Sequence, residues 1–143
     1  MIKISRYLEY ALISIKSIED KNRQLSAKEI SQNFGIPFDI LSKTLQKLSR
    51  SGLLKTQHGP KGGYKLSKDL NRISLHDLNR ALGYDNSLIK CHSLHKCNLE
   101  KSCNIKKHLF GLELYLKNFM QSVSLKSIFE VSYKENNLPN IMA

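Results

Sequence analysis

The sequence has 143 residues, with 23 Lys and Arg against 12 Asp and Glu, three cysteines and a formal net charge of +11 at pH 7. That length makes one domain with a small appendage the default, able to bury about two-thirds of its unfolded surface without disulfides. A 41% hydrophobic content with seven Gly and three Pro excludes a low-complexity chain.

No run approaches the roughly 20 apolar residues of a membrane span. Arg6 and Glu9 also interrupt any signal-like apolar start, so a cytoplasmic protein that does not enter a membrane is expected. The charge points to a polyanionic partner, nucleic acid before an acidic membrane surface. In a reducing compartment an odd set of thiols is better suited to metal or redox chemistry than to structural disulfides.

In chain order, Ile4, Leu8, Leu12, Ile15 and Ile18 recur at helical spacing with Ala11 on the same face, which predicts a first helix over residues 4–18. Ser26-Ala27-Lys28-Glu29 has capping-box spacing and opens a second helix that stops at Gly35. Pro37 fits the first position of a third helix, whose buried stripe is Leu41, Leu45 and Leu48 and whose C-terminal cap is Gly52. Two short extended segments then flank Gly59-Pro60-Lys61-Gly62-Gly63, the pattern of a β-hairpin. Ser74 and Asp77 open a short helix ended by Gly83.

This order describes a mainly α-helical protein with a small β-hairpin, a winged helix-turn-helix over residues 1–83. A polar segment, 84–104, holds Cys91, Cys97 and Cys103. Ile105, Leu109, Leu112, Leu116, Phe119 and Val123 follow at alternating spacings of four and three, an a/d heptad seam in a long C-terminal helix. A seam this narrow packs on one other helix. A second copy of the chain is the favoured partner and the protein's own core the alternative, so 105–130 is read as a dimerisation region. Residues 131–143 lack periodicity and are expected to be a loose tail.

Between Asp39 and Asp69 stand Lys43, Lys47, Arg50, Lys55, Lys61, Lys65 and Lys68 and no acidic residue. The charge therefore gathers on the third helix and hairpin, the elements that such a fold lays in the major groove and along the backbone of double-stranded DNA. Lysine and arginine contacts to phosphate would supply salt-dependent affinity. Base selection falls to the start of the third helix, at Asp39, Ser42, Lys43 and Gln46. Lys47 on the helix and His58, Lys61, Gly62 and Tyr64 on the wing complete the expected DNA-binding set. No nucleophile–base pair, paired carboxylate or phosphate loop emerges, so no catalysis is expected.

Cys91, Cys97 and Cys103 are each five residues apart. On a helix six positions turn about 600° and scatter the thiols, so only a folded loop brings them together. The close Cys pair usual in zinc sites is missing, and even spacing suits a larger thiolate-bound group such as an iron–sulfur cluster. Zinc and unliganded, reactive thiols remain alternatives. Lys90, Lys96, Lys101, Lys106 and Lys107 surround the segment and Cys103 lies just before the heptad helix, an environment that favours an anionic group.

Glu9-Tyr10-Ala11-Leu12, the helix-turn-helix ending in Ser51-Gly52-Leu53, the wing Gly59-Pro60-Lys61-Gly62-Gly63-Tyr64 and the triple Cys-x5-Cys-x5-Cys resemble the family of winged-helix transcription regulators that includes IscR, NsrR and RirA. The resemblance covers roughly residues 1–130. It implies a homodimer in which the long helices cross, and an iron–sulfur cluster on Cys91, Cys97 and Cys103. It further implies operator affinity, usually in repression, set by iron supply, nitric oxide or oxidants acting through a small reactive molecule at the cluster. Ser42, Lys43 and His58 fall where relatives contact DNA, although His58 stands where Arg is common. For the fourth ligand, Lys106 occupies the position of the IscR-like His, whereas Glu9 matches the carboxylate that NsrR-like proteins draw from the partner subunit. His108 is the runner-up, and His92, His95, water or a small thiol are the remaining choices. Three thiolates and an oxygen ligand lean by resemblance towards a 4Fe-4S cube, with a 2Fe-2S cluster as the alternative. Structural zinc or a thiol switch on the same fold is the competing reading.

Overall fold

The computed structural model describes residues 4–84 and 97–131. Helix α1 runs Arg6–Lys21, because Ser5 caps it by accepting from the Leu8 N–H at 3.2 Å. Ile4 therefore lies outside the helix and is 60% exposed, in contrast to its expected place in the stripe. Leu8, Ala11, Ser14, Ile15 and Ile18 form the buried face, on which Ser14 satisfies its hydroxyl at the Tyr10 carbonyl, 2.7 Å away. Leu12 is only half-buried at the edge of this face.

Helix α2 (Ala27–Phe34) starts from Ser26, whose hydroxyl accepts from Glu29 N–H at 3.1 Å, and ends on Gly35 at φ +63°. The Glu29 carboxylate is gripped by Arg23 at 2.5 and 3.2 Å, which holds it below the usual carboxylate range against the opposing effect of desolvation. Helix α3 runs Phe38–Arg50. Pro37 precedes it at ψ 124° and caps it with no side-chain bond, one position earlier than the sequence implies. At the far end Gly52 adopts φ +78°, letting Leu53 N–H reach the Leu48 carbonyl at 3.0 Å, a left-handed stop that favours glycine.

The wing consists of β1 (Leu54–Gln57) and β2 (Gly63–Leu66), antiparallel in the register Leu54 to Leu66, Lys55 to Lys65, Thr56 to Tyr64 and Gln57 to Gly63. Leu25 pairs with Tyr64 through both backbone bonds, at 3.0 and 2.8 Å. A side chain at Gly63 would strike the Leu25 carbonyl, so this approach requires glycine.

A 3-10 turn, Leu70–Arg72, leads into α4 (Leu75–Ala81). Here the reciprocal capping box is complete: Asp77 N–H donates to the Ser74 hydroxyl at 3.1 Å, while Ser74 N–H reaches the Asp77 carboxylate at 3.0 Å. Long helix α5 (Lys106–Ser122) lies against α4 and buries none of its own residues.

Helix α6 (Leu125–Glu130), inside the region read as dimerisation helices, docks on the winged unit. Leu125 is fully buried, and the chain around it is stitched to residues 73–75 by Leu75 N–H to Val123 O at 2.9 Å and Leu125 N–H to Ile73 O at 2.8 Å. One apolar core thus joins α1–α4, the wing and Leu125. No helix among the described residues is long and apolar enough to cross a membrane.

Candidate nucleic-acid interface and cysteine segment

Helical spacing places Lys43, Gln46, Lys47 and Arg50 on one exposed row of α3, opposite buried Leu41, Thr44, Leu45 and Leu48. Asp39 is exposed on the first turn, and Ser42 is half-buried with its hydroxyl 3.4 Å from the Gln46 amide nitrogen. Lys47 differs from its neighbours. Its ammonium donates to the Leu82 carbonyl at 3.0 Å, just past α4, and stands 5.6 Å from the centre of the Tyr7 ring.

Besides the Leu25–Tyr64 backbone pair, two side-chain contacts fix the wing to the helix-turn-helix. Ser49 and Thr56 share a hydroxyl bond of 2.7 Å between α3 and β1. On the other side the Gln24 amide donates to the Lys61 carbonyl, and Arg23 donates to the Gln24 carbonyl at 3.0 Å. His58 and Lys61 are exposed at the tip. Gly62 turns back with its N–H on the Gly59 carbonyl at 2.9 Å, where any side chain would meet the backbone of residues 57–59. Tyr64 leans on the core, and burial pushes its phenol pKa up.

In the sequence Lys55 and Lys65 stand out only as charge. The register sets them directly opposite each other, both exposed, on the face away from buried Leu54. Like charges in that position destabilise a hairpin, a cost that a polyanion laid across them would offset. Only the strand register reveals the pair.

In the cysteine segment, Cys97 is exposed and Cys103 half-buried, both as free thiols, while Cys91, His92 and His95 lie outside the described residues. Two tight turns lie between them, with Glu100 N–H on Cys97 O at 3.1 Å and Ser102 N–H on Leu99 O at 3.0 Å. Glu100 is engaged by Lys106 at 3.4 Å. Glu9 and His108 are exposed, and no three His, Cys, Asp or Glu side chains gather into a metal-holding group among the described residues. Thiols are nevertheless the right donors for iron, and these two are uncommitted within a lysine-rich segment. On the seam of α5, Ile105, Leu112 and Phe119 are 51, 52 and 60% exposed, whereas Leu109, Leu116 and Val123 are half-buried.

A three-helix unit whose basic third helix is braced against a basic hairpin is a winged helix-turn-helix DNA-binding protein. The comparisons with known proteins define it further. A sequence model of the Rrf2 family, described as iron-dependent transcriptional regulator, matches residues 4–131, and the chain belongs to that family. It is accordingly a DNA-binding transcriptional regulator and not an enzyme. The chain is similar to the HTH-type transcriptional regulator IscR of Photobacterium profundum, 24% identical over 136 residues that cover 95% of this chain and 76% of the relative. Its fold is similar to CymR (YrzC), the global cysteine regulator of B. subtilis, at TM-score 0.73 and 22% identity over 93% of this chain and all of that one. It is likewise similar to T. potens IscR, at TM-score 0.66 and 17% identity over 96 and 97% of the two chains.

Proposed function

We propose that the protein is a homodimeric repressor whose operator affinity is set by an iron–sulfur cluster held on Cys91, Cys97 and Cys103. The observation that carries this reading is the pairing of uncommitted thiols with cation-rich surroundings, Cys97 and Cys103 beside Lys101, Lys106 and Lys107, directly ahead of a long helix with an uncovered apolar seam. A bound cluster, preferably 4Fe-4S, would supply an iron site open to iron loss, nitric oxide or oxidants. The chain's own part is to provide thiolates, to balance their charge with lysines, and to bring the exposed Glu9 of a second copy to the remaining position, with His108 as the other donor. Across Ile105, Leu109, Leu112, Leu116, Phe119 and Val123 the second copy covers α5. Two third helices, presenting Asp39, Ser42, Lys43 and Gln46, then meet half-sites about one helical turn apart. The wing adds Lys55, Lys65, Lys61 and His58 to the backbone contacts.

Anaerobic purification and reconstitution test the reading. Iron and sulfide should be found with charge-transfer absorption, and operator affinity should change when both are removed. A colourless protein after reconstitution, with Cys97→Ala matching the parent on operator DNA, refutes it. The exposed, free Cys97 supports a second reading, a thiol switch. A reversible Cys–Cys bond that governs DNA binding, seen by mass spectrometry in metal-free protein, would select it. Stoichiometric zinc would select a structural site.

A further inference from the structure

Among the described residues, Lys47 is the one cation of the expected DNA-binding set that the structure gives to the protein itself. Lys43 and Arg50, on the same exposed row of α3, have no such partner among the described residues. Three elements converge on the Lys47 ammonium: α3 carries it, α4 ends at the Leu82 carbonyl that accepts it at 3.0 Å, and α1 supplies the Tyr7 ring 5.6 Å away. A cation is favoured at that carbonyl because it closes the C-terminal end of a helix, and favoured at the ring by its negative face.

We infer that Lys47 is a latch between the recognition helix and α4: while held on Leu82 it is withheld from DNA, and when α4 shifts it is released to a phosphate. This rests on the regulatory reading above. Helix α4 packs on α3 and on α5, and Asn79 of α4 donates to the Met120 sulfur of α5 at 3.4 Å. In sequence, Leu82 is nine positions before Cys91, and α5 begins three positions after Cys103. Any rearrangement that displaces α5 against the winged unit is therefore felt at the Leu82 carbonyl, which Lys47 reads directly. The response needs no backbone change in α3 itself, since a lysine ammonium on a four-carbon stem can swing from a carbonyl to a neighbouring phosphate by rotamer change alone.

Release has a quantitative signature. Each phosphate contact adds about 0.9 to the slope of log K against log salt, so a dimer that frees both Lys47 side chains steepens by about 1.8. Between 50 and 200 mM salt that slope is worth about a 12-fold difference in affinity.

The test compares operator binding across this salt range for the full-length parent and Lys47→Met, each with and without iron–sulfide reconstitution. Methionine keeps an unbranched stem and removes the charge. The parent's two slopes should differ by about 1.8, and Lys47→Met should show the parent's shallower slope in both preparations. If Lys47→Met lowers the slope equally in both, Lys47 is an ordinary phosphate contact and the latch is refuted. If Lys47→Met keeps the parent's difference, another residue carries the response and the latch is refuted equally. Should the parent itself be indifferent to reconstitution, the sensing reading fails. The latch is then decided by hydrogen exchange, which should quicken several-fold at the Gly83 and Tyr84 amides in Lys47→Met while the α2 amides hold. Unchanged exchange there overturns it.

Discussion

Lys55→Gln should move stability and DNA affinity in opposite directions. The substitution keeps side-chain length and removes one of two like charges that face each other across the hairpin with no acidic residue between Asp39 and Asp69 to compensate. Both ammonium groups reach water, so the relief is modest, about a few tenths of a kcal/mol at low ionic strength, and it shrinks as salt screens the pair. The loss in DNA binding is larger. One phosphate contact removed from each subunit of a dimer lowers the salt slope by about 1.8, so the variant's deficit against the parent should be about 12-fold greater at 50 mM than at 200 mM salt. Urea titration gives the stability change, and fluorescence anisotropy on operator DNA at four or five salt concentrations gives the slope. A deficit independent of salt would mean that Lys55 meets no phosphate. A loss of stability would mean that the cross-strand repulsion is not what the residue brings to the hairpin.

Three further outcomes follow from individual contacts. Gln24→Ala removes the amide that holds the Lys61 carbonyl, and should weaken hydroxyl-radical protection at the wing-contacted flanks of the operator while leaving major-groove protection and the unfolding midpoint unchanged. Ser74→Ala deletes the capping box and should cost about 1 kcal/mol near neutral pH by thermal or urea unfolding. Burial alone would raise the Asp77 carboxyl, but the Ser74 hydrogen bonds and the nearby His76 and Arg80 outweigh it and leave the pKa lowered. That stability is therefore present above the unfolded carboxyl pKa of about 3.9 and lost as pH falls through the folded value, so the variant's deficit should narrow in acid. Leu112→Glu with Leu116→Glu places charge on the seam and should give monomers by sedimentation, with operator affinity much reduced. A dimer that survives this change would mean that the seam packs elsewhere.

The helix boundaries were legible wherever a short-range signal decides them. Ser26, Ser74, Gly35, Gly52 and Gly83 act through bonds within five residues of themselves, which the sequence displays directly. Ile4 was misplaced because its spacing fits the stripe, while the Ser5 cap, a stronger constraint, starts the helix after it. The sign of the charge along α3 and the wing could be read because it needs no geometry. The opposition of Lys55 and Lys65 could not, since moving the strand register by one residue would separate them. The commitment of Lys47 was hidden for a different reason: its acceptor is a backbone carbonyl 35 positions away, which no side-chain pattern marks. The cysteine spacing singles out its three residues, but the proposed ligand set, which would draw on a second chain, is not encoded in the order of one.

The attachment of α5 explains why its seam is available at all. At its C-terminal end, Val123 and Leu125 are bonded to Leu75 and Ile73, and Leu125 is sunk in the winged core, so that end is fixed to the DNA-binding unit. The helix's 17 residues then project about 25 Å towards the segment that carries the thiols. Because none of those residues is buried, the helix is not held along its length by its own core. Among the described residues, its contact with α4 and the stitch at 123–125 orient it. A rigid rod anchored at one end converts a small angular change into several ångströms of displacement at the other, and a change imposed at the cysteine end is passed back through α4. The same anchor ties the spacing of two recognition helices to the angle at which two such rods would cross. In the proposed sensing dimer, dimer geometry and thiol chemistry would therefore act on DNA binding through the same helix.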